Sequence, residues 1–346
     1  MTAPSSLFTN AALAVGTPVV SALVVGLALP GAAPADPATE EGAPSVTNWE
    51  VPWENTRPRD PYLGADGRLW FVGQRGDYLA ALDLANGEFE RHDLSPGTGP
   101  HNLIVASDGM VWFAGNRDAY IGRLNPGNGE IDRYDLPEET ARDPHTLIFD
   151  SDENIWFTSQ HANSIGHFNT RTGEARVTAV PTPRARPYGI VVDGDDRPWA
   201  VLLGTNKLAT VDPETMELEE IELPREETRP RRLAATEDGR IWYVDFAAGH
   251  LGVYDPATRE VNEWLSPSGE SSRPYAMAAD GRGNLWYVES GPTPHVLVGF
   301  DPETETFFDQ TVLERADTGN TRHMVHQDGS LWFGLDSDHV TRVELP

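Results

Sequence analysis

Seven residues stand at matching places along this 346-residue chain and could do chemistry together. Tyr62, His101, His145, Tyr188, Arg231 and Tyr275 each follow a proline or lie where that proline pattern recurs, and His323 follows Arg322 in the last copy. Histidine exchanges protons near neutral pH or binds a metal ion. Tyrosine and arginine donate hydrogen bonds to carbonyl and carboxylate oxygens. A second set follows each Trp-aromatic pair: Gln74, Asn116, Gln160, Asp245, Glu289 and Asp336. Glu289 and Asp336 belong to adjacent copies and could share one hard cation such as Mg2+, with water completing its shell. A third set is basic: Arg186, Arg229, Arg231, Arg232, Arg273 and Arg322 stand beside the same positions. Arginines gathered on one face of an acidic protein imply an anionic or carbonyl-rich ligand; the plainer reading pairs them with Glu226, Glu227 and Asp60. Each His or Tyr taken singly reads as a cap on loop backbone, whereas the set reads as a binding site. No zinc spacing, phosphate loop or Gly-x-Ser-x-Gly elbow is present. His161, His167 and His250 read as surface or packing residues.

The elements that must position these residues are strands. The stretch Asp143 to Pro183 holds four short apolar runs: Leu147 to Phe149, Ile155 to Thr158, Ile165 to Phe168 and Ala175 to Val180. Polar turn residues separate them, the pattern of antiparallel strands joined by hairpins. One such unit exposes too much apolar surface to stand alone. The chain repeats it. Trp70, Trp112, Trp156, Trp199, Trp242, Trp286 and Trp332 follow one another at intervals of 42, 44, 43, 43, 44 and 46 residues. Seven copies of four strands predict an all-β, seven-bladed β-propeller, each Trp packing between blades. The last copy ends after a third strand, Val340 to Leu345, and Thr47 to Pro52 resembles the outer strands elsewhere. Pairing them closes the ring and removes two sheet edges. In such a blade the first strand lines the channel, so its start and the end of the second strand share one mouth. The Asp-Gly turns at Asp66, Asp108, Asp238 and Asp328 then lie on the opposite face.

Residues 1–35 differ in composition from the rest. Ala11 to Leu29 is nearly all Ala, Val, Leu and Gly, followed by small residues at Gly31 to Ala35. This reads as a secretory signal peptide, with an uncleaved N-terminal anchor as the alternative. Residues 36–46 read as a disordered acidic linker, and 47–346 as the propeller. A secreted or periplasmic monomer follows, meeting a membrane only if the leader stays. Asp and Glu total 54 against 26 Lys and Arg, a net charge of −28. That charge opposes nonspecific nucleic-acid binding and attachment to anionic membranes. It fits a salty habitat or an ordinary acidic exported protein. There is no Cys, so no disulfide or thiolate chemistry is available.

Several stretches carry a resemblance: Arg186-Pro-Tyr-Gly-Ile190, Asn154-Ile-Trp-Phe-Thr158, Asn163-Ser-Ile-Gly166 and Tyr120-Ile-Gly-Arg-Leu124. Over about Thr47 to Pro346 the repeat resembles the virginiamycin B lyase (streptogramin B lyase) family. The resemblance implies a Mg2+-dependent carbon–oxygen lyase that opens a cyclic depsipeptide by elimination, an antibiotic-resistance activity. A base removes the proton beside the ester carbonyl while the metal steadies the enolate. The family's base, a His in a Glu-Pro-His motif, matches His323; its Glu matches Thr321 and its Pro matches Arg322. A second metal carboxylate matches Asp336, and the His of the sixth blade matches Tyr275.

Three functions follow as expectations. In a metal-assisted lyase, His323 is the base, Asp336 and Glu289 hold Mg2+, and Arg322 and Tyr275 orient the carbonyl. Tyr62, His101, His145, Tyr188 and Arg231 complete the substrate-binding ring for a cyclic ester or anionic compound. A lactonase-type hydrolase would use water at the same metal. A non-catalytic ligand- or protein-binding propeller is the third, since this fold hosts many functions.

Overall fold

The computed structural model describes residues 42–346. The leader at 1–35 and the linker as far as residue 41 lie outside the described residues. Among the described residues, twenty-eight strands form seven four-stranded antiparallel sheets, one for each Trp-marked copy. The third blade is representative, with strands Pro144–Phe149, Ile155–Ser159, Ser164–Phe168 and Ala175–Ala179 hydrogen-bonded in chain order.

Burial within that blade explains its sequence. The second strand, Ile-Trp-Phe-Thr-Ser, is buried at every position because both of its faces meet neighbouring blades. The outer strand holds only exposed and half-buried residues, as an edge with a wetted face requires. Gly166 pairs with Phe157 across the sheet. A Cβ there would lie 2.1 Å from the Phe157 ring, so the Ser-Ile-Gly motif is a slot for that aromatic.

The core is distributed around the ring. Seven apolar clusters join neighbouring blades, including one between the seventh and the first. All seven repeat tryptophans are buried in them.

Closure takes the expected form with a shifted boundary. Ser45–Glu50 pairs antiparallel with His339–Glu344, completing the seventh blade. Ser45 and Val46, expected in the linker, pair with Glu344 and Val343 because the last strand offers partners that far. Trp49 stacks on Trp332 with ring centroids 6.3 Å apart. No helix among the described residues is long and apolar enough to cross a membrane.

Candidate functional site

Five of the seven inner strands begin at a proline; that of the second blade begins at Leu103 and that of the seventh at Met324. Pro144, Pro187, Pro230 and Pro274 pair with Ser159, Leu202, Asp245 and Glu289 at the ends of the second strands. An irregularity follows each of these prolines, inserting one extra residue on the inner strand. Such a bulge re-aims side chains. Here it affects the two residues after the proline, such as His145 and Thr146.

In the first blade the entering proline is Pro58, which pairs with Gly73. The residues at the channel are therefore Arg59 and Asp60. Tyr62, expected at the mouth, pairs with Trp70 in mid-strand and lines the opposite half of the channel. Pro61 misled the assignment, although the interval to Trp contained the answer. Pro58, Pro100, Pro144, Pro187, Pro230 and Pro274 all precede their Trp by 12 residues.

These paired positions fill the channel with a buried polar plug. Arg59 donates from Nε to Asp60 Oδ1 at 2.8 Å, and its Nη1 lies 2.9 Å from His101 Nε2. The His101 Nδ1 is 3.0 Å from the His145 carbonyl oxygen, which makes Nε2 the acceptor facing Arg59. Asn102 donates to Asp60 at 3.1 Å and accepts from the Leu147 amide at 2.9 Å. Arg232 donates from Nη1 to Thr146 Oγ1 at 3.1 Å and from Nε to the Arg322 carbonyl at 3.0 Å. The His101 and His145 rings lie 3.6 Å apart, and His145 lies 4.0 Å from Tyr188. Asp60 is fully buried and holds a left-handed backbone, φ 49°. Strain of this sort in a non-glycine residue marks a position that the surroundings over-determine.

Charge sets the protonation of the plug. Burial favours a neutral Asp60, but Arg59, His323 and Arg232 hold its carboxyl below the usual range. Burial, with the Arg59 and Arg232 charges, keeps His101 and His145 neutral. The same causes, burial and then Arg232, lower His323 to about 3 against the pull of Asp60.

The fourth to sixth blades contribute aromatic rings. The Tyr188 and Tyr275 hydroxyls bond to each other at 2.5 Å. The Arg231 guanidinium lies 3.9 Å from the Tyr275 ring centre and 4.1 Å from that of Phe246. Burial opposes ionisation of Tyr188, yet Arg231, Arg59 and Arg232 pull it down to about 8. Burial and the Tyr188 charge push Tyr275 up to about 12.

Outside the plug, at the mouth, a hollow of about 560 Å³ lies between the fourth and fifth blades. Arg184, Arg186, Arg229, Arg231 and Phe246 line it. None of these four arginines forms an ion pair with a carboxylate among the described residues, although the chain carries −28. The expected acids are taken elsewhere: Glu227 by Arg225, and Asp60 by Arg59 and Arg232. Glu226 meets Arg229 only through its backbone carbonyl, at 2.8 Å. Arg186 holds a left-handed backbone, φ 56°, just before Pro187.

A model of the virginiamycin B lyase family matches residues 44–343. The chain belongs to the virginiamycin B lyase family. Its structure is similar to that of selenomethionine-substituted virginiamycin B lyase from Staphylococcus aureus: TM-score 0.77 and 21% identity, covering 88% of this chain and 100% of that one. A streptogramin B lyase structure aligns with TM-score 0.77 and 23% identity over 88% of this chain and 98% of that one. A catalytically inactive His-to-Ala variant of the S. aureus enzyme, solved with quinupristin, gives TM-score 0.78 and 21% identity over 88% and 100%. At these identities the structural likeness is one of fold. No curated protein sequence matches the chain.

The residues available for the lyase family's Mg2+ do not fit a cation. Asp336 is bonded by Arg322 Nη1 and lies 3.6 Å from Arg57 Nε. Burial opposes its ionisation, and Arg322 and Arg57 hold its carboxyl low. A dication at Asp336 would have to displace or face those two guanidiniums. Glu289 is fully buried and accepts from the amide and hydroxyl of Ser268, at the outer edge of the fifth blade. Burial raises its carboxyl. Among the described residues no group of three or more His, Cys, Asp or Glu could hold a metal ion. Thr321, at the position of the family's Glu, is bonded to His295 Nδ1 at 3.1 Å. Of the expected lyase set, the structure joins Arg322 to Asp336 and places His323 beside Arg232; Tyr275 stands with Tyr188 and Arg231 instead. Sequence reasoning missed Arg59, Asn102, Thr146 and His295, which are small polar or off-pattern residues whose partners lie in other blades.

Proposed function

We propose that this member of the virginiamycin B lyase family is an exported monomeric propeller that binds a small anionic or carbonyl-rich molecule at its arginine mouth. The observation that carries this reading is the group of four arginines without carboxylate partners on a strongly acidic protein. Like charges gathered at one place raise one another's energy, and an anion relieves that cost. Arg231 is already held between aromatic rings, so little order is lost when a ligand arrives. Quinupristin in the homologous variant supports a small-molecule ligand, and the apolar leader supports export. Calorimetric titration with malonate tests the mouth. Malonate should bind, and Arg186→Ala with Arg229→Ala should weaken it about a hundredfold, roughly tenfold per lost charge-assisted bond. EDTA should change nothing. Equal affinity in the double variant would end this reading.

Carbon–oxygen lyase activity is the second reading, and the lowered Tyr188 hydroxyl favours it over His323. A base near pH 3 removes a carbon-bound proton poorly at neutral pH, whereas a tyrosinate formed near 8 is well placed. Tyr188 would take the proton from the carbon next to the one that bears the ester's alkyl oxygen, and Arg231 would hydrogen-bond the adjoining carbonyl oxygen as charge develops there. A carbon–carbon double bond forms, the neighbouring carbon–oxygen bond breaks, and a carboxylate leaves. Elimination opens a ring at unchanged mass, while a lactonase would add one water. Mass spectrometry with a panel of cyclic depsipeptides and lactones, in EDTA, separates the two. A ring-opened product of unchanged mass that vanishes in Tyr188→Phe supports elimination. A product that needs added Mg2+ and survives Tyr188→Phe refutes it.

A further inference from the structure

The inner strands run from the mouth to the Asp-Gly turns, and their second halves enclose a separate cavity of about 260 Å³. Its wall is apolar, with Leu147, Ile190, Leu233, Met277 and Met324 among its residues. This exceeds the roughly 150 Å³ cavity that accommodates benzene. Arg232 and His323 stand at the mouth-ward ends of their lining segments and form its floor.

That floor is incompletely satisfied. Arg232 is 2% exposed, and its Nη2 has no hydrogen-bond partner. The nearest carboxylate oxygen, on Asp60, is 3.8 Å from it. The His323 Nδ1 is also buried without a partner. Arg59 already bonds both oxygens of Asp60, so two buried guanidiniums share one carboxylate. A buried charge left without a counter-charge is costly, and an unsatisfied donor adds to that cost.

We propose that this turn-side cavity is a second binding site, for an amphiphile with a single carboxylate head and an apolar tail. The head accepts from Arg232 Nη2 and supplies the missing counter-charge. The tail lies along the aliphatic wall, where Met277 and Met324 adapt to its shape. Tyr62 and His326 line the cavity farther along their strands. The polar plug separates this site from the arginine mouth, so the two should bind independently.

Calorimetric titration of the full chain with octanoate, 1-octanol and octylammonium tests the assignment. Octanoate should bind about tenfold or more tightly than octanol, and octylammonium weakest. Ala279→Leu narrows the cavity from a half-buried position and should weaken octanoate about tenfold, leaving malonate unaffected. The Arg186→Ala, Arg229→Ala double variant should bind octanoate as wild type does. Octanol equal to octanoate would overturn the proposal without recourse to any variant. So would competition between malonate and octanoate.

Discussion

The blade interfaces and the inner-strand starts are drawn from the same seven repeats, yet they vary in opposite ways. At the interfaces one solution recurs: a buried Trp in every blade, set in an apolar cluster shared with a neighbour. At the strand starts no two blades agree. Arg59-Asp60, His101-Asn102, His145-Thr146, Tyr188-Gly189, Arg231-Arg232, Tyr275-Ala276 and Arg322-His323 occupy corresponding places. Arg322, and not His323 as its place in the repeat suggested, therefore stands where Tyr275 does, because Val325 and Ala278 are the residues paired with Trp. Packing explains the contrast. A ring closes only if every wedge has nearly the same shape, so the interface is held uniform. The channel imposes no such demand, and its side chains can differ to build charge, hydrogen bonds and a site.

Substitution on each side should give different kinds of loss. The largest effect is expected from Trp156→Ala, which empties the interface between the third and fourth blades. Stability should fall by about 3–5 kcal/mol, read from urea unfolding. Malonate affinity of the still-folded protein should remain unchanged. A loss of affinity as large as the loss of stability would show that the two regions are not separable.

Asp60→Asn tests the channel in the same measure. Removing the one carboxylate shared by Arg59 and Arg232 leaves two buried cations, a loss of about 3 kcal/mol. Its pH dependence identifies the cause. The Asp60 carboxyl is held below its ordinary value of 3.8. A lowered carboxyl stabilises fully above the unfolded value, and that stabilisation fades as pH falls toward the folded one. The gap between wild type and variant should therefore be constant above about pH 5 and shrink in acid. A gap independent of pH down to acid unfolding would assign the loss to packing.

This contrast also explains what could be read in advance. Interfaces repeat, so Trp spacing disclosed the blade number, and the unpaired ends disclosed the closure. Channel chemistry does not repeat. The partner of Arg59 on the ring is His101, 42 residues away, and that of Tyr188 is Tyr275, 87 residues away. Type and spacing placed His101, His145, Tyr188, Arg231 and Tyr275 near one another without revealing who bonds whom. Glu289 ends its strand whereas Asp336 lies one residue beyond its own, and one turns to Ser268, the other to Arg322. Arginine pairing was equally hidden, because Glu226 and Glu227, near Arg229 and Arg231 in sequence, form an ion pair with neither.

The smallest change, Tyr188→Phe, sharpens the comparison most because it should alter chemistry with little effect on packing. Tyr188 loses one hydrogen bond, to Tyr275, and keeps its ring against His145. Stability at pH 7 should change by about 1 kcal/mol. Absorbance of tyrosinate should change more. One of the nine tyrosines in wild type, Tyr188, should ionise near pH 8, ahead of Tyr275, which burial and the Tyr188 charge push up. The variant should lack that early step. The sign in stability follows from linkage: a phenol that ionises more readily when folded adds stability as pH rises from about 8 toward 10. Tyr275, pushed up to about 12, works the other way above pH 10, so the gain should be confined to that window. If wild type shows no early step, the guanidiniums of Arg231, Arg59 and Arg232 do not act on Tyr188 as their positions require. The channel would then be a neutral polar filling, and the elimination reading would lose its base.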